Sequence, residues 1–187
     1  MRRKTFDVLF EPGAGMTELV RESCLWRSAW YFTMSVGFFN GVIINSWFLQ
    51  QPLSVRMALI LAGILICATV LLLYGFIIHG IVETYGQAGD PVGLLCLIGY
   101  TTLPFLLLTP GALLAGKWGL AGLPLLAGVF LTGFCWMLYL LVRSIQVVYI
   151  IDGKRATGVV LLSLLLLYTA FFLPLQIAYL MLMRWLA

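Results

Sequence analysis

Long stretches with almost no charged side chain, separated by short polar breaks, set the pattern of this chain. Apolar residues fill these stretches continuously instead of recurring as the single stripe of a soluble amphipathic helix. A helix needs about 20 apolar residues to cross the hydrocarbon layer, where backbone groups must bond within their own segment. Five stretches meet that length, at about residues 28–49, 57–82, 92–109, 120–147 and 156–183. The pattern therefore predicts an all-α polytopic membrane protein, a bundle of five transmembrane helices forming one domain over residues 1–187. Between spans three and four the chain is rich in Gly and Pro, which predicts a helix end near Pro110 and an external hairpin. Pro174 is expected to kink the fifth span.

Ahead of the first span, Met16, Leu19, Val20 and Cys24 share one helical face, while Arg21 and Glu22 lie off it. This spacing predicts a short helix within residues 1–27. Two placements are open to it: the membrane interface, where basic neighbours meet lipid headgroups, or a packed cytoplasmic cap. The basic start Met1 to Lys4 is followed by no apolar stretch until about Ser28, so no cleaved signal peptide is expected.

Charge placement turns the span pattern into a topology. Cytoplasmic loops retain Lys and Arg during insertion. With the N-terminus inside, Arg2, Arg3, Lys4, Arg21, Arg27, Arg143, Lys154 and Arg155 are cytoplasmic, and only Arg56, Lys117 and Arg184 lie outside. The expectation is N-terminus in and C-terminus out, with Trp26 and Trp30 near the inner interface and Trp47, Trp118 and Trp185 near the outer one. Composition agrees, since 63% of residues are hydrophobic and 10% charged, too few to cover a soluble domain. The formal charge of +4 is accounted for by topology, and no nucleic-acid partner is expected. Cys24, Cys67, Cys96 and Cys135 show no CxxC spacing, so neither a disulfide nor a metal site is expected.

Polar residues inside spans are the natural candidates for chemistry, because lipid penalises them unless they find partners. Asn40 and Asn45 accompany Gly37 and Gly41, whose GxxxG spacing permits close helix approach. Together with Tyr100 they form a candidate helix-packing seam or polar path, to which Tyr139 could add. His79 and Glu83 share a helix face at the inner end of span two. With Asp90 and Asp152 in the cytoplasmic loops and Arg143 near the inner end of span four, they define a candidate cytoplasmic polar cluster, able in principle to hold a proton or a cation. The simpler expectation is that His79 and Glu83 bond to Arg143, headgroups or water. The single histidine and the absence of GxSxG, HExxH and P-loop motifs predict no catalytic residues and no cofactor.

Several segments, taken in order, carry a resemblance. Phe10-Glu11-Pro12 precedes the amphipathic stretch, and His79 precedes the loop Gly86-Gln87-Ala88-Gly89-Asp90. Gly99-Tyr100-Thr101-Thr102-Leu103-Pro104 follows in span three, and residues 145–156 end in Asp152-Gly153-Lys154-Arg155-Ala156. In this order and spacing the chain resembles the Yip1 family of five-span membrane proteins in its compact bacterial form, without the long cytoplasmic N-terminal region of eukaryotic members. The resemblance implies the bacterial cytoplasmic (inner) membrane. Eukaryotic relatives associate with Rab-type GTPases and with one another in membrane trafficking. By analogy it implies a non-enzymatic scaffold or adaptor whose partners are the lipid bilayer, further copies of itself or other membrane proteins. A small-solute or ion transporter, probed through the same polar residues, is the alternative.

Overall fold

The computed structural model describes residues 8–21, 25–87, 89–174, 176–177, 181 and 184. Among these it contains seven α-helices and no strand: α1 (Pro12–Arg21), α2 (Leu25–Trp47), α3 (Leu53–Thr84), α4 (Pro91–Thr101), α5 (Leu103–Lys117), α6 (Leu123–Tyr149) and α7 (Gly153–Leu167). A 3₁₀ turn, Gly119–Gly122, joins α5 to α6, and a π-helical turn, Tyr168–Phe172, follows α7. The outer parts of the expected fifth span, and Cys24, lie outside the described residues.

Burial divides these helices into a centre and a lipid-facing shell. Two thirds (67%) of the apolar window in Pro91–Lys117 is buried, against 6% in Leu53–Thr84. Helices α4 and α5 thus form the axis of the bundle. α3 instead presents Met57, Leu61, Leu65, Ile66, Leu72 and Phe76 outward. An apolar surface of that extent requires hydrocarbon as its solvent, so this is a multi-pass membrane protein.

Length and apolarity together single out four helical stretches among the described residues, one fewer than the expected five. The difference is α2. It has 23 residues, about 34 Å at 1.5 Å per residue, but Asn40, Asn45 and its Ser, Thr and Gly residues dilute its hydropathy. One face of it is taken out of lipid by packing, with Ser28, Phe32, Ser35, Val36 and Phe39 buried against α4 and α5.

The third span departs from expectation in a second way. It does not end near Pro110. It breaks at Thr102 and then continues through Pro110 to Lys117. Pro104 has no N–H for the carbonyl of Tyr100 and its ring crowds that carbonyl, so the ladder fails there. The hydroxyls of Thr101 and Thr102 turn back to the carbonyls of Ile98 and Gly99, at 2.7 and 2.8 Å. Pro110 breaks the same rule but sits where α5 packs extensively on α2, with Ala112 and Ala115 buried, and that packing carries the helix through. Gly122 allows the return into α6, since a Cβ there would strike the carbonyl of Ala115.

The fifth span begins at Gly153, with the Asp152 carboxylate accepting the Lys154 N–H at 3.3 Å as an N-cap. Its π-helical turn ends just before Pro174. Such a turn is one of the recognised responses to a missing backbone donor.

The N-terminal helix takes the packed placement. Val8, Leu9, Met16 and Leu19 are buried with Cys96, Leu97, Tyr100 and Leu140 of α4 and α6. The Ser144 hydroxyl reaches the Met16 sulfur at 3.6 Å. The amphipathic face read from the sequence therefore meets protein, and α1 closes one end of the bundle.

At the end of α6, Ile150 adopts a left-handed conformation, φ 53°, with its side chain 90% exposed. For a β-branched residue this costs about 1–2 kcal/mol, and the position following a helix is where Gly serves best. Ile150→Gly should therefore raise the thermal unfolding midpoint of the purified protein, by an amount equivalent to about 1 kcal/mol. An unchanged or lower midpoint in a detergent melt would contradict the strain.

Candidate functional site

Inward from α1, the loop between α3 and α4 and the loop between α6 and α7 lie side by side at one end of the bundle. Here the structure brings His79 together with a residue the sequence did not single out, Tyr149. The His79 Nδ1 lies 2.9 Å from the Tyr149 hydroxyl, and the two rings are tilted at 32° with centroids 6.1 Å apart. His79 Nε2 lies 4.0 Å from Glu83 Oε2, one turn along α3. The tautomer with its proton on Nε2 lets the hydroxyl donate to Nδ1 and points the remaining N–H at the carboxylate.

Burial differs sharply across this array. Tyr149 is 2% exposed, whereas the Glu83 side chain is 74% exposed. The array thus runs from the packed interior, where Tyr149 joins Ile78, Val82 and Ile145, to the surface. A fully buried phenol needs a partner for its hydroxyl, and the only histidine of the chain supplies it.

The loop glycine closes the lid on this ring. A Cβ on Gly89 would fall within the Tyr149 ring, 3.0 Å from its Cγ and closer to its edge carbons. Asp90, next in the chain, caps α4 by accepting the Val92 N–H at 2.9 Å. Its carboxylate is committed to the helix start and is exposed. Arg143 stands apart from the cluster: it donates to Gln146 Oε1 at 3.0 Å and lies 5.9 Å from the Tyr139 ring. Arg143 and Tyr149, the partner of His79, lie on different faces of α6, since the six residues between them are well off a whole number of turns. Asp152 is spent as the cap of α7. Among the described residues no three His, Cys, Asp or Glu side chains converge as metal ligands. Cys67 and Cys135 are free thiols, and Cys96 is buried in the core.

The second candidate group is divided between two places. Gly37 and Gly41 face Ile64 and Ile60 of α3, and the Asn40 amide sits over Gly63, where a Cβ would lie 2.8 Å from it. These contacts bind α2 to α3. Asn45 donates to the Gly41 carbonyl at 2.8 Å and accepts from Arg56 at 2.7 Å, tying the turn between the two helices. Gly37, Gly41 and Asn45 also line a cavity of 730 Å³ that reaches Gly116 and Lys117 on α5. Tyr100 is remote from them, buried under α1 with its ring 5.0 Å from that of Tyr31.

The pair Gly99-Tyr100 gains a specific meaning from its neighbour Ser28. The Ser28 hydroxyl donates to the Leu95 carbonyl at 3.2 Å and accepts the Gly99 N–H at 3.1 Å. Helices α2 and α4 approach so closely there that only Gly fits at position 99.

Sequence reasoning missed Tyr149, Gly89 and Ser28. The signal for Tyr149 is thin, an aromatic hydroxyl in the last turn of an apolar span of a chain with one histidine. Nothing in local pattern shows that two loops far apart in sequence meet.

No curated protein and no solved structure matches the chain. The family model described as the Yip1 domain matches residues 6–173. That range takes in the packed N-terminal segment, the His79 and Gly89 loop, the Gly99-Tyr100 crossing and the turn into α7. The chain is therefore a member of the Yip1 family.

Proposed function

We propose that this protein is a non-enzymatic membrane scaffold or adaptor, spanning the bacterial inner membrane five times with α2 as one of the spans and the capped end cytoplasmic. The observation that carries this reading is the apolar centre. Tyr74, Ile78, Leu94, Ile98, Leu141 and Val160 fill the seam between α3, α4, α6 and α7. The buried hydroxyls of Thr101, Thr102, Ser144 and Ser163 bond to carbonyls three or four residues earlier in their own helices, and the Tyr74 hydroxyl bonds to the Val160 carbonyl at 3.0 Å. Side chains so committed line no conducting path, which weighs against a solute or ion transporter. The orientation rests on Arg143, Lys154 and Arg155 at one end, and on Arg56 and Lys117 at the other.

An adaptor presents its contacts at the surface, and the capped end offers Ile150, a strained apolar side chain in full view. A photocrosslinking residue at Ile150 in living cells should yield discrete protein adducts, to this chain or to another, with none at Ser54 on the opposite end. Lipid adducts alone from both positions would overturn the adaptor reading.

A further inference from the structure

A second cavity, independent of the His79 array, lies along the seam between α3 and α7 at the capped end. Its volume is 570 Å³, within the range of roughly 300–1,000 Å³ that small-molecule sites occupy. Its lining changes character along its length. Val82, Ile151, Val159 and Leu162 make apolar walls, while Tyr85, Gln87 and Arg155 gather at the end nearer the loops. From Arg155 to Leu162 is seven residues of one helix, about 10 Å into the apolar layer.

We propose that this groove binds one anionic glycerophospholipid, its phosphate at Arg155 with Tyr85 and Gln87, and an acyl chain between Val82, Val159 and Leu162. This goes beyond the adaptor reading and does not depend on it.

Charge complementarity argues for that occupant. Among the described residues no carboxylate lies within ion-pair distance of Arg155, and its neighbour Lys154 adds a second cation at the same level. A planar guanidinium recognises a phosphate through two parallel N–H donors, which water-exposed Arg at a membrane surface readily finds in a headgroup. A polar mouth above an apolar trough is the shape of a lipid, not of a soluble anion or of a second apolar helix.

Gly158 supplies an independent observation. It sits in the middle of α7, where Gly costs about 1 kcal/mol relative to Ala, yet no atom lies within 4 Å of where its Cβ would stand. Packing inside the chain therefore does not require it. It does keep the trough open between Arg155 and Leu162, where a larger side chain would narrow it.

The test uses the purified full chain in a mild detergent, titrated with phosphatidylglycerol or with phosphatidylcholine of identical acyl chains, and bound lipid counted by native mass spectrometry. The wild type should retain phosphatidylglycerol at least about five-fold over phosphatidylcholine, equivalent to about 1 kcal/mol. Arg155→Gln should abolish the preference, and Gly158→Leu should lower binding of both lipids. Lys154→Gln, which does not line the groove, should keep most of the preference. A phosphatidylglycerol analogue carrying a photoreactive acyl chain should label the peptide that includes Val159 and Leu162. Equal retention of the two lipids, an undiminished preference in Arg155→Gln, labelling spread evenly over the spans, or displacement of the lipid by inorganic phosphate alone would each overturn the proposal. The thermal midpoint of each variant is read alongside. Should Gly158→Leu not fold, Arg155→Gln and the labelled position still decide.

Discussion

Gly99→Ala should lower stability by about 3 kcal/mol, the upper end of what a misplaced methyl group costs in a packed interior. The added Cβ would overlap the hydroxyl of Ser28 and, more seriously, its backbone carbonyl. A side chain can turn away, but a carbonyl held inside a helix cannot. Helices α2 and α4 would have to separate, and with them would go the two Ser28 hydrogen bonds to Leu95 and Gly99. Because the obstacle is backbone, Ser28→Gly should fail to rescue Gly99→Ala. Thermal unfolding of the single and double variants in detergent reads both effects. A wild-type melt for Gly99→Ala, or full recovery in the double variant, would show that the two helices do not cross at this point.

The crossing also shows what the sequence did and did not disclose. Class and spans were legible because lipid imposes a simple demand, continuous apolar length, and α3 and α6 meet it without help. The resemblance to the family lies in the order and spacing of several segments, Gly99-Tyr100 and Pro104 among them. The role of Gly99 was not legible, since a glycine in a glycine-rich membrane chain looks the same whether it meets lipid or a serine 71 residues away. Pro110 departs from the sequence expectation for a related reason. Local chemistry says that proline ends a helix, and here the packing of α5 on α2 outweighs it, while the break falls at Thr102, two residues before Pro104, where the Thr101 and Thr102 hydroxyls bond the carbonyls of Ile98 and Gly99. The polar cluster was half legible. His79 and Glu83 share a face by spacing alone, but a shared end of the bundle does not fix which way Arg143 points, and the twist of α6 turns it toward Gln146 and Tyr139 instead.

Gly89→Ala should open the loop over Tyr149 and cost about 2–3 kcal/mol, combining overpacking with the loss of a buried hydrogen bond. The new methyl would overlap the edge carbons Cδ1 and Cε1 of the phenol ring and stand 3.0 Å from its Cγ, so the ring cannot keep its place. Either the loop lifts or the ring leaves, and both outcomes part the hydroxyl from His79 Nδ1. The chain has a single histidine, so ¹⁵N-labelled imidazole gives one pair of ring resonances without ambiguity. In the wild type these should report a hydrogen-bonded Nδ1, and in Gly89→Ala they should move to the position seen in Tyr149→Phe. The phenylalanine variant removes the hydroxyl but keeps the ring, so its stability should fall by only about 1 kcal/mol. Unlike the crossing at Gly99, this obstacle is a side chain. In a Tyr149→Ala background the cost of Gly89→Ala should therefore largely vanish, a coupling of about 1–3 kcal/mol between residues 60 positions apart. Strictly additive losses would mean that the two loops do not meet. Unchanged imidazole resonances in Tyr149→Phe would mean that the hydroxyl is not what holds His79.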